Sequence, residues 1–343
     1  MFKHLYENKT PKYVISCEQF SITIASSSAT GTATLNKRVN TATSFIVWGH
    51  EIASAANTEN CLARLELTDS VTVTATRDTA SATTITVYGT VVYCSPQFVK
   101  SVQAGSVSLT GVATTSTITA VRTDKTVVFA NGFTTSNANA NLTTSLARVS
   151  LTNSTTVTVN VNTVGTTHRV NYVAVEFQPD CVISVQQVAI TAASGTSATA
   201  TLATNVDMNN SLCFYGGQQS GGNTRAQMFS RIQLTNTNTV TATWDTSSIV
   251  TRTVNTTVVN FAPKVIRSIR RGTTTISAST RATTTIDFVD VNMAWCMFLG
   301  FSCTGASHAA TLAGIALTNG TTITATLNSS GTDTVAWEVG WFN

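Results

Sequence analysis

The sequence predicts an all-β protein made of four tandem antiparallel β-sandwich units of about 84 residues each. A Leu-Thr pair recurs with its surrounding motif at Leu67, Leu151, Leu234 and Leu317, so the spacings are 84, 83 and 83 residues. β-Branched residues alternate with polar ones around each pair, and charged residues make up only 10% of the chain. An Ig-like or jelly-roll-like sandwich fits many short strands with regular turns, and a small barrel is the alternative.

The repeated motif is predicted to be a β-hairpin. In residues 147–160, ARVSLTNSTTVTVN, apolar residues alternate with polar ones on both sides of Asn153-Ser154. A period of two places one set on a buried face and the other toward water. Asn and Asp bond their own backbone in tight turns. The turns of the other copies are Asp69-Ser70, Asn236-Thr237 and Asn319-Gly320.

The repeat divides the chain into an N-terminal arm, residues 1–12, and four units. Unit 1 covers residues 13–97, unit 2 98–180, unit 3 181–264 and unit 4 265–343. In unit 1 we expect strands in ISCEQFSITI and TGTATL and a third strand over residues 44–48 that ends at a Gly. The hairpin and a closing strand over residues 84–94 follow. The Gly after the third strand recurs as Gly49, Gly132, Gly216 and Gly300.

Short Pro-containing junctions join the units. Pro96, Pro179 and Pro263 follow the closing strands, and the junction sequences contain no Gly. Proline has no N–H for a strand ladder, so pairing ends there and the connection is stiff. Stiff junctions predict a rod or a gently curved string of four units, with a closed arrangement as the alternative.

Composition and charge exclude several function classes. The net charge is +4 without a long basic run, so we expect no nucleic-acid partner. The sequence has no apolar run long enough to span a membrane, and residues 1–13 lack the apolar core of a secretory signal. The seven Cys do not recur at matching positions, so we interpret them as buried small side chains, with intermolecular bridging as the alternative.

The sequence has no recognisable catalytic constellation. None of the four His has a metal-ligand neighbour at a typical spacing, and we interpret them as surface loop residues. Carboxylates are few and scattered, and no nucleophile or phosphate-binding motif is present. We therefore predict a non-enzymatic protein without a metal or a cofactor.

Aromatic and His side chains near the repeated Gly are candidates for contact with a glycan. Rings at the rim of a loop can stack on sugar faces, and the alternative is that they close the end of the core. The candidates are Trp48, His50, Phe133, Tyr215 and Phe301.

Basic residues form two further candidate sets. Arg64, Arg148 and Arg231 recur before the hairpin, where unit 4 has Gly314. They could contact an acidic partner or glycan, or lie across the sheet with the stem on apolar neighbours. The arm could anchor the protein to a partner or be a frayed terminus. Its candidate residues are Lys3, Lys9 and Lys12.

The whole pattern resembles the Thr-rich tandem β-sandwich repeats of structural and appendage proteins of tailed bacteriophages. The hairpin motif, the SVQ at residues 101–103 and 184–186 and the VEFQP at residues 175–179 carry the resemblance. It implies a non-enzymatic, oligomeric fibre, decoration, neck or tail component. Such a protein is made in the host cytoplasm without a signal peptide and contacts capsid, neck or tail proteins. The alternative is a carbohydrate-binding adhesin that recognises host-surface glycan.

Overall fold

The structure is a computed structural model and describes residues 12–54, 61–135, 144–164, 168–222, 224–304 and 312–343. Antiparallel strands account for nearly all the regular structure in these ranges, which confirms the prediction of an all-β chain. The helical elements there are α1 (Arg225–Met228) and the 3-10 turns Thr123–Lys125 and Pro179–Cys181. No described helix is long and apolar enough to cross a membrane.

The strands follow the same order in the first three units, and two long strands appear in unit 4. Unit 1 has β1 (Val14–Ile24), β2 (Thr30–Thr34), β3 (Ser44–Ala53), β4 (Arg64–Leu67), β5 (Thr72–Thr76) and β6 (Ile85–Cys94). Unit 2 has β7 (Val99–Ser108), β8 (Ala113–Thr117), β9 (Thr126–Thr135), β10 (Ala147–Asn153), β11 (Thr156–Val161) and β12 (His168–Phe177). Unit 3 has β13 (Val182–Ala192), β14 (Ser197–Thr201), β15 (Ser211–Ser220), β16 (Arg231–Asn236), β17 (Thr239–Thr243) and β18 (Arg252–Phe261). Unit 4 has β19 (Ile266–Thr285), β20 (Ala294–Cys303), β21 (Gly314–Asn319) and β22 (Thr322–Phe342).

The predicted hairpin is confirmed as β10 and β11. Val149 pairs with Val159, and Val157 pairs with Leu151 in the same antiparallel register. The three Val side chains are buried, as the period of two requires. At the turn, the Asn153 side-chain oxygen accepts a hydrogen bond from the Thr155 amide at 2.9 Å, which is the expected Asx bond.

Three of the four sheets cross a boundary between units. The sheet orders are β1-β6-β3, β2-β5-β4-β9-β12-β7, β8-β11-β10-β15-β18-β13 and β14-β17-β16-β20-β22-β19, with β21 beside β22. The hairpin strands of one unit therefore continue into the sheet that holds the third and closing strands of the next unit. Each continuation is made by one residue pair: Arg64 with Gly132, Arg148 with Gly217 and Arg231 with Gly300.

The third strands of the four units surround a shared axis. β3, β9, β15 and β20 contact one another in that order, and β20 contacts β3 again. Ring pairs link them: Phe129 lies 6.0 Å from Phe45 and 5.4 Å from Phe214, and Phe45 lies 5.9 Å from Trp295. The prediction of a rod or string is wrong, because the first and fourth units pack against each other.

A backbone hydrogen bond closes this arrangement. At the three junctions, the first amide of a unit donates to the carbonyl three residues earlier: Phe98 to Ser95, Cys181 to Gln178 and Val265 to Ala262. The amide of Tyr13, the first residue of unit 1, donates to the carbonyl of Asn343 at 2.9 Å. The contact between units 4 and 1 therefore reproduces the bond that the covalent junctions make.

The solvent-accessible surface area of the chain agrees with a closed arrangement of the four units. It measures 13166 Å² for a chain of 36.1 kDa. A single compact protein of this mass is expected to expose about 13,400 Å², and four separate quarter-size units about 19,000 Å². The units have therefore lost to one another much of the surface that a string would expose.

Candidate functional site

Each third strand contains a β-bulge at the repeated Gly and continues beyond it. In unit 1, β3 runs to Ala53, so the predicted end at Gly49 is wrong. The bulge residue with positive φ is His50 (69°) in unit 1 and a Gly in the other units. Those glycines are Gly132 (88°), Gly217 (89°) and Gly300 (83°). The structural repeat is thus shifted by one residue from the predicted one in units 1 and 3.

The bulge glycines are required by space as well as by φ. A Cβ on Gly217 would overlap the carbonyl oxygen of Ala147 in the hairpin of the preceding unit. The same overlap would occur between Gly132 and Ala63, and between Gly300 and Ser230. The bulge therefore lets the hairpin of one unit approach the third strand of the next within strand-pairing distance.

The repeated Arg lies at these same boundaries. The Arg148 guanidinium donates to the Asn255 side-chain oxygen of the next unit at 3.2 Å, and Asn255 donates to the Val149 carbonyl at 3.0 Å. Arg64 contacts Asn171 in the matching way at 3.5 Å. Arg231 pairs with Asp245 at 3.3 Å and donates to the Ser302 hydroxyl of unit 4. The head groups thus bind within the chain, in agreement with the interpretation that each Arg lies across the sheet.

At the boundary between units 4 and 1, a small residue replaces the repeated Arg and a large residue replaces the bulge Gly. Gly314 takes the position of the repeated Arg, and His50 takes that of the bulge Gly. A Cβ on Gly314 would overlap the ring of Tyr88, which fills the space of the missing Arg side chain. Tyr88 therefore explains why a Gly stands at this position in unit 4.

The aromatic candidates are buried, so the prediction that they contact a glycan is wrong. Trp48, His50, Phe133 and Phe301 are at most 4% exposed and Tyr215 is 7% exposed. Their rings pack together near the axis; His50, for example, lies 4.7 Å from Trp48. Burial also lowers the pKa of His50 to about 3. The alternative, that these rings close the core, is confirmed.

The remaining predictions from single residue types have mixed outcomes. His50 and His168 are buried in strands, so their interpretation as loop residues is wrong. His4 and His308 lie outside the described residues, as do Lys3 and Lys9. Lys12 is exposed. All seven Cys are buried, which confirms their interpretation as small core side chains.

An open cleft with a volume of about 330 Å³ lies between units 1 and 2. β3 and β4 of unit 1 form one wall, and β7 and β12 of unit 2 form the other. Ser44, Asn131 and Asn171 supply buried polar atoms, while Glu66 and Ser106 are exposed. No sequence motif marked this site.

Small residues on β7 leave this cleft open. Ala104 pairs with Val173 on the closing strand of unit 2. The matching residues in the other units are Gln187, which pairs with Thr257, and Arg271, which pairs with Glu338. At the second boundary, the Gln187 side-chain oxygen accepts a hydrogen bond from the Leu151 amide at 2.9 Å. At the third, Arg271 donates to the Met208 carbonyl at 2.6 Å. Ala104 has no atoms to reach across the boundary in either way.

Asn131 gives the cleft an unsatisfied buried acceptor. Its side chain is 3% exposed and lines the cleft. Its Oδ1 has no hydrogen-bond partner among the described residues. An amide oxygen without a partner in the interior costs about 1–3 kcal/mol, so such atoms are uncommon in folded proteins.

Among the described residues, no group of three or more His, Cys, Asp or Glu side chains could hold a metal ion.

Comparisons with known proteins give no family for the chain. No protein-family model and no curated protein matches the sequence.

Proposed function

We propose that this chain is a non-enzymatic structural protein of a tailed-phage particle, built from four tandem β-sandwich units. The observation that supports it is the use of the repeated polar groups at the unit boundaries. Arg64 and Arg148 bind Asn side chains of the next unit, and Arg271 donates to the Met208 carbonyl of the preceding unit. These polar groups are thus engaged in holding the units together.

The outer sheet edges suit contacts with further virion proteins or other copies of the chain. β2 (TGTAT), β8 (ATTST) and β14 (SATAT) are edge strands without charged residues or Pro. Charges and Pro are the usual protections against strand addition at an edge. An unprotected edge can pair with a strand of a capsid, neck or tail protein, or of a second copy.

Cryo-electron microscopy and mass spectrometry of purified source particles test the proposal. We expect the chain in stoichiometric amount and density for a ring of four β-units attached to capsid, neck or tail. Absence of the chain from washed particles that are complete in their other structural proteins would refute the virion role.

A second candidate function is binding of host-surface glycan. The buried aromatic residues do not support it, because a sugar cannot reach their ring faces. The open cleft between units 1 and 2 favours it instead, since it contains a buried polar atom, Asn131 Oδ1, that has no partner among the described residues. Binding of the purified chain to host surface polysaccharide, measured by biolayer interferometry, tests this candidate.

A further inference from the structure

We propose that the cleft between units 1 and 2 binds a single neutral pyranose residue. The proposal rests on the second candidate function, glycan binding, and is independent of the structural role. Three features of the cleft carry it: its size, its balance of charge and its unsatisfied acceptor.

The size of the cleft suits one sugar ring. Its volume of about 330 Å³ lies at the lower end of the range of about 300–1,000 Å³ for small-molecule sites. Apolar side chains such as Phe45, Leu65 and Val102 alternate with polar ones along its walls. Tyr172 lies across Gly105, so its ring forms part of one wall. A pyranose presents the same mixture of apolar C–H faces and hydroxyl edges.

The charge of the cleft favours a neutral ligand. Glu66 is the one ionisable acid or base among the residues that line it, apart from the phenol of Tyr172. Arg64 contacts the lining residue Asn171 and so places a cation beside the cleft. With one exposed carboxylate and one neighbouring guanidinium, the cleft has no cluster of like charges that would select an ion.

The unsatisfied acceptor requires a hydrogen-bond donor from the ligand. Asn131 Oδ1 is buried and unpaired among the described residues, and the exposed Glu66 carboxylate offers further acceptors. The Asn171 amide is already engaged, because its Nδ2 donates to the Leu65 carbonyl at 3.0 Å. A sugar hydroxyl in the cleft can supply the missing donor to Asn131, and a second can donate to Glu66, while the ring covers the apolar wall.

The other unit boundaries suggest two substitutions that should close the site. Ala104→Gln places at this boundary the side chain that Gln187 carries at the next one. Asn131→Leu removes the acceptor, and Leu299 shows that Leu fits the matching bulge position of β20. We expect both variants to melt at or above the wild-type temperature, because one fills space and the other removes an unpaired polar atom.

The experiment titrates the whole chain with methyl glycosides of glucose, galactose, mannose and N-acetylglucosamine, monitored by NMR. We expect millimolar binding of at least one glycoside to the wild type. Asn131→Leu should raise its Kd by about tenfold, and Ala104→Gln should abolish binding. The control Gln187→Ala opens the second boundary without an acceptor, since Gly216 replaces Asn131 there, and should add no site.

The outcomes separate this site from glycan binding in general. If no glycoside binds, the proposed site is wrong. It is also wrong if the cation butylammonium binds to the cleft and the glycosides do not, because the proposal requires a neutral ligand. If the wild type and both cleft variants bind a glycoside or host polysaccharide equally, the cleft is wrong while the second candidate function stands. If variants that still fold lose binding, the site is established.

Discussion

The closing-strand residue that pairs with the last residue of the third strand shows how differently one buried position can be filled. It holds Ile85, His168, Arg252 and Asp333 in units 1 to 4, and each side chain is at most 1% exposed. Arg252 donates to the carbonyl of Gly195 and packs over Trp244 at 4.3 Å, so its charge is compensated. Both carboxyl oxygens of Asp333 lack a partner among the described residues.

The Asp333 carboxyl should make stability fall as the pH rises. Burial, with the charge of Asp245 adding to it, raises the pKa of Asp333 to about 9, from 3.8 when it is exposed. The carboxyl is protonated in both states below pH 4, and between about pH 4 and 9 the unfolded chain releases its proton first. Asp333→Asn should therefore raise the free energy of unfolding by on the order of a few kcal/mol at pH 8 and little at pH 4.

Chemical denaturation at the two pH values measures this difference. Asp287→Asn is the matched control, because the Asp287 side chain is 84% exposed and loses only a surface ion pair with Arg270 at 3.3 Å, so its effect on stability should be small. An equal effect of Asp333→Asn at both pH values would contradict the assignment of an uncharged Asp333.

The ion pair between Arg271 and Glu338 lies within unit 4 and ties it to unit 3, because Arg271 also donates to the Met208 carbonyl. The Arg271 Nε lies 2.7 Å from the Glu338 carboxylate, whose side chain is 1% exposed. The Cys213 amide donates to the other carboxylate oxygen at 2.7 Å. Burial raises the pKa of Glu338, and the Arg271 guanidinium opposes this shift.

Arg271→Ala should destabilise the chain by about 3 kcal/mol, because it leaves a buried carboxylate without its cation. Lys100→Ala is the control: Lys100 is half-exposed, and its partner Glu176 keeps the Ser101 hydroxyl and the Arg122 amide as donors. It should cost about 1 kcal/mol or less. Equal losses in urea denaturation would show that the buried pair does not hold this boundary.

At the scale of elements, the alternation of the sequence predicted the hairpins and their register. It missed the bulges, because a residue with positive φ can be His50 as well as Gly, and a one-residue shift hides the match. The cleft was missed for a different reason. Ala104 is inconspicuous by itself, and only its comparison with Gln187 and Arg271 shows that a boundary side chain is absent. The aromatic residues were easy to find in the sequence, but their burial depends on the closure of the four units around the shared axis.

The bulge glycines should be sensitive to any side chain. Gly217→Ala adds a Cβ that overlaps a backbone oxygen, whereas Gly195 has a similar φ of 78° and no atom within 4 Å of an added Cβ. Gly195→Ala should cost about 1 kcal/mol for the backbone alone. Gly217→Ala should cost about 2 kcal/mol or more beyond that. Equal melting temperatures of the two variants would exclude a tight approach at the bulge.

At the scale of the molecule, the sequence located the junctions but did not reveal the angle between the units. Tyr13 and Asn343 form the same amide–carbonyl bond as the covalent junctions, so each junction turns the chain by a similar step until it closes. The closing boundary carries Gly314 and His50 in place of the Arg and Gly of the others. The repeat alone therefore gave no sign that unit 4 meets unit 1.

Small-angle X-ray scattering distinguishes the closed body from a string. A compact chain of 343 residues should have a radius of gyration of about 20 Å, whereas four units end to end should give about 35 Å. We expect the lower value. A chain cut after Lys264 lacks unit 4 and with it the partner of Tyr13, so its unit 1 should lose hydrogen-exchange protection relative to the whole chain. Unchanged protection of β1 and β3 would mean that the units fold independently, as in a string.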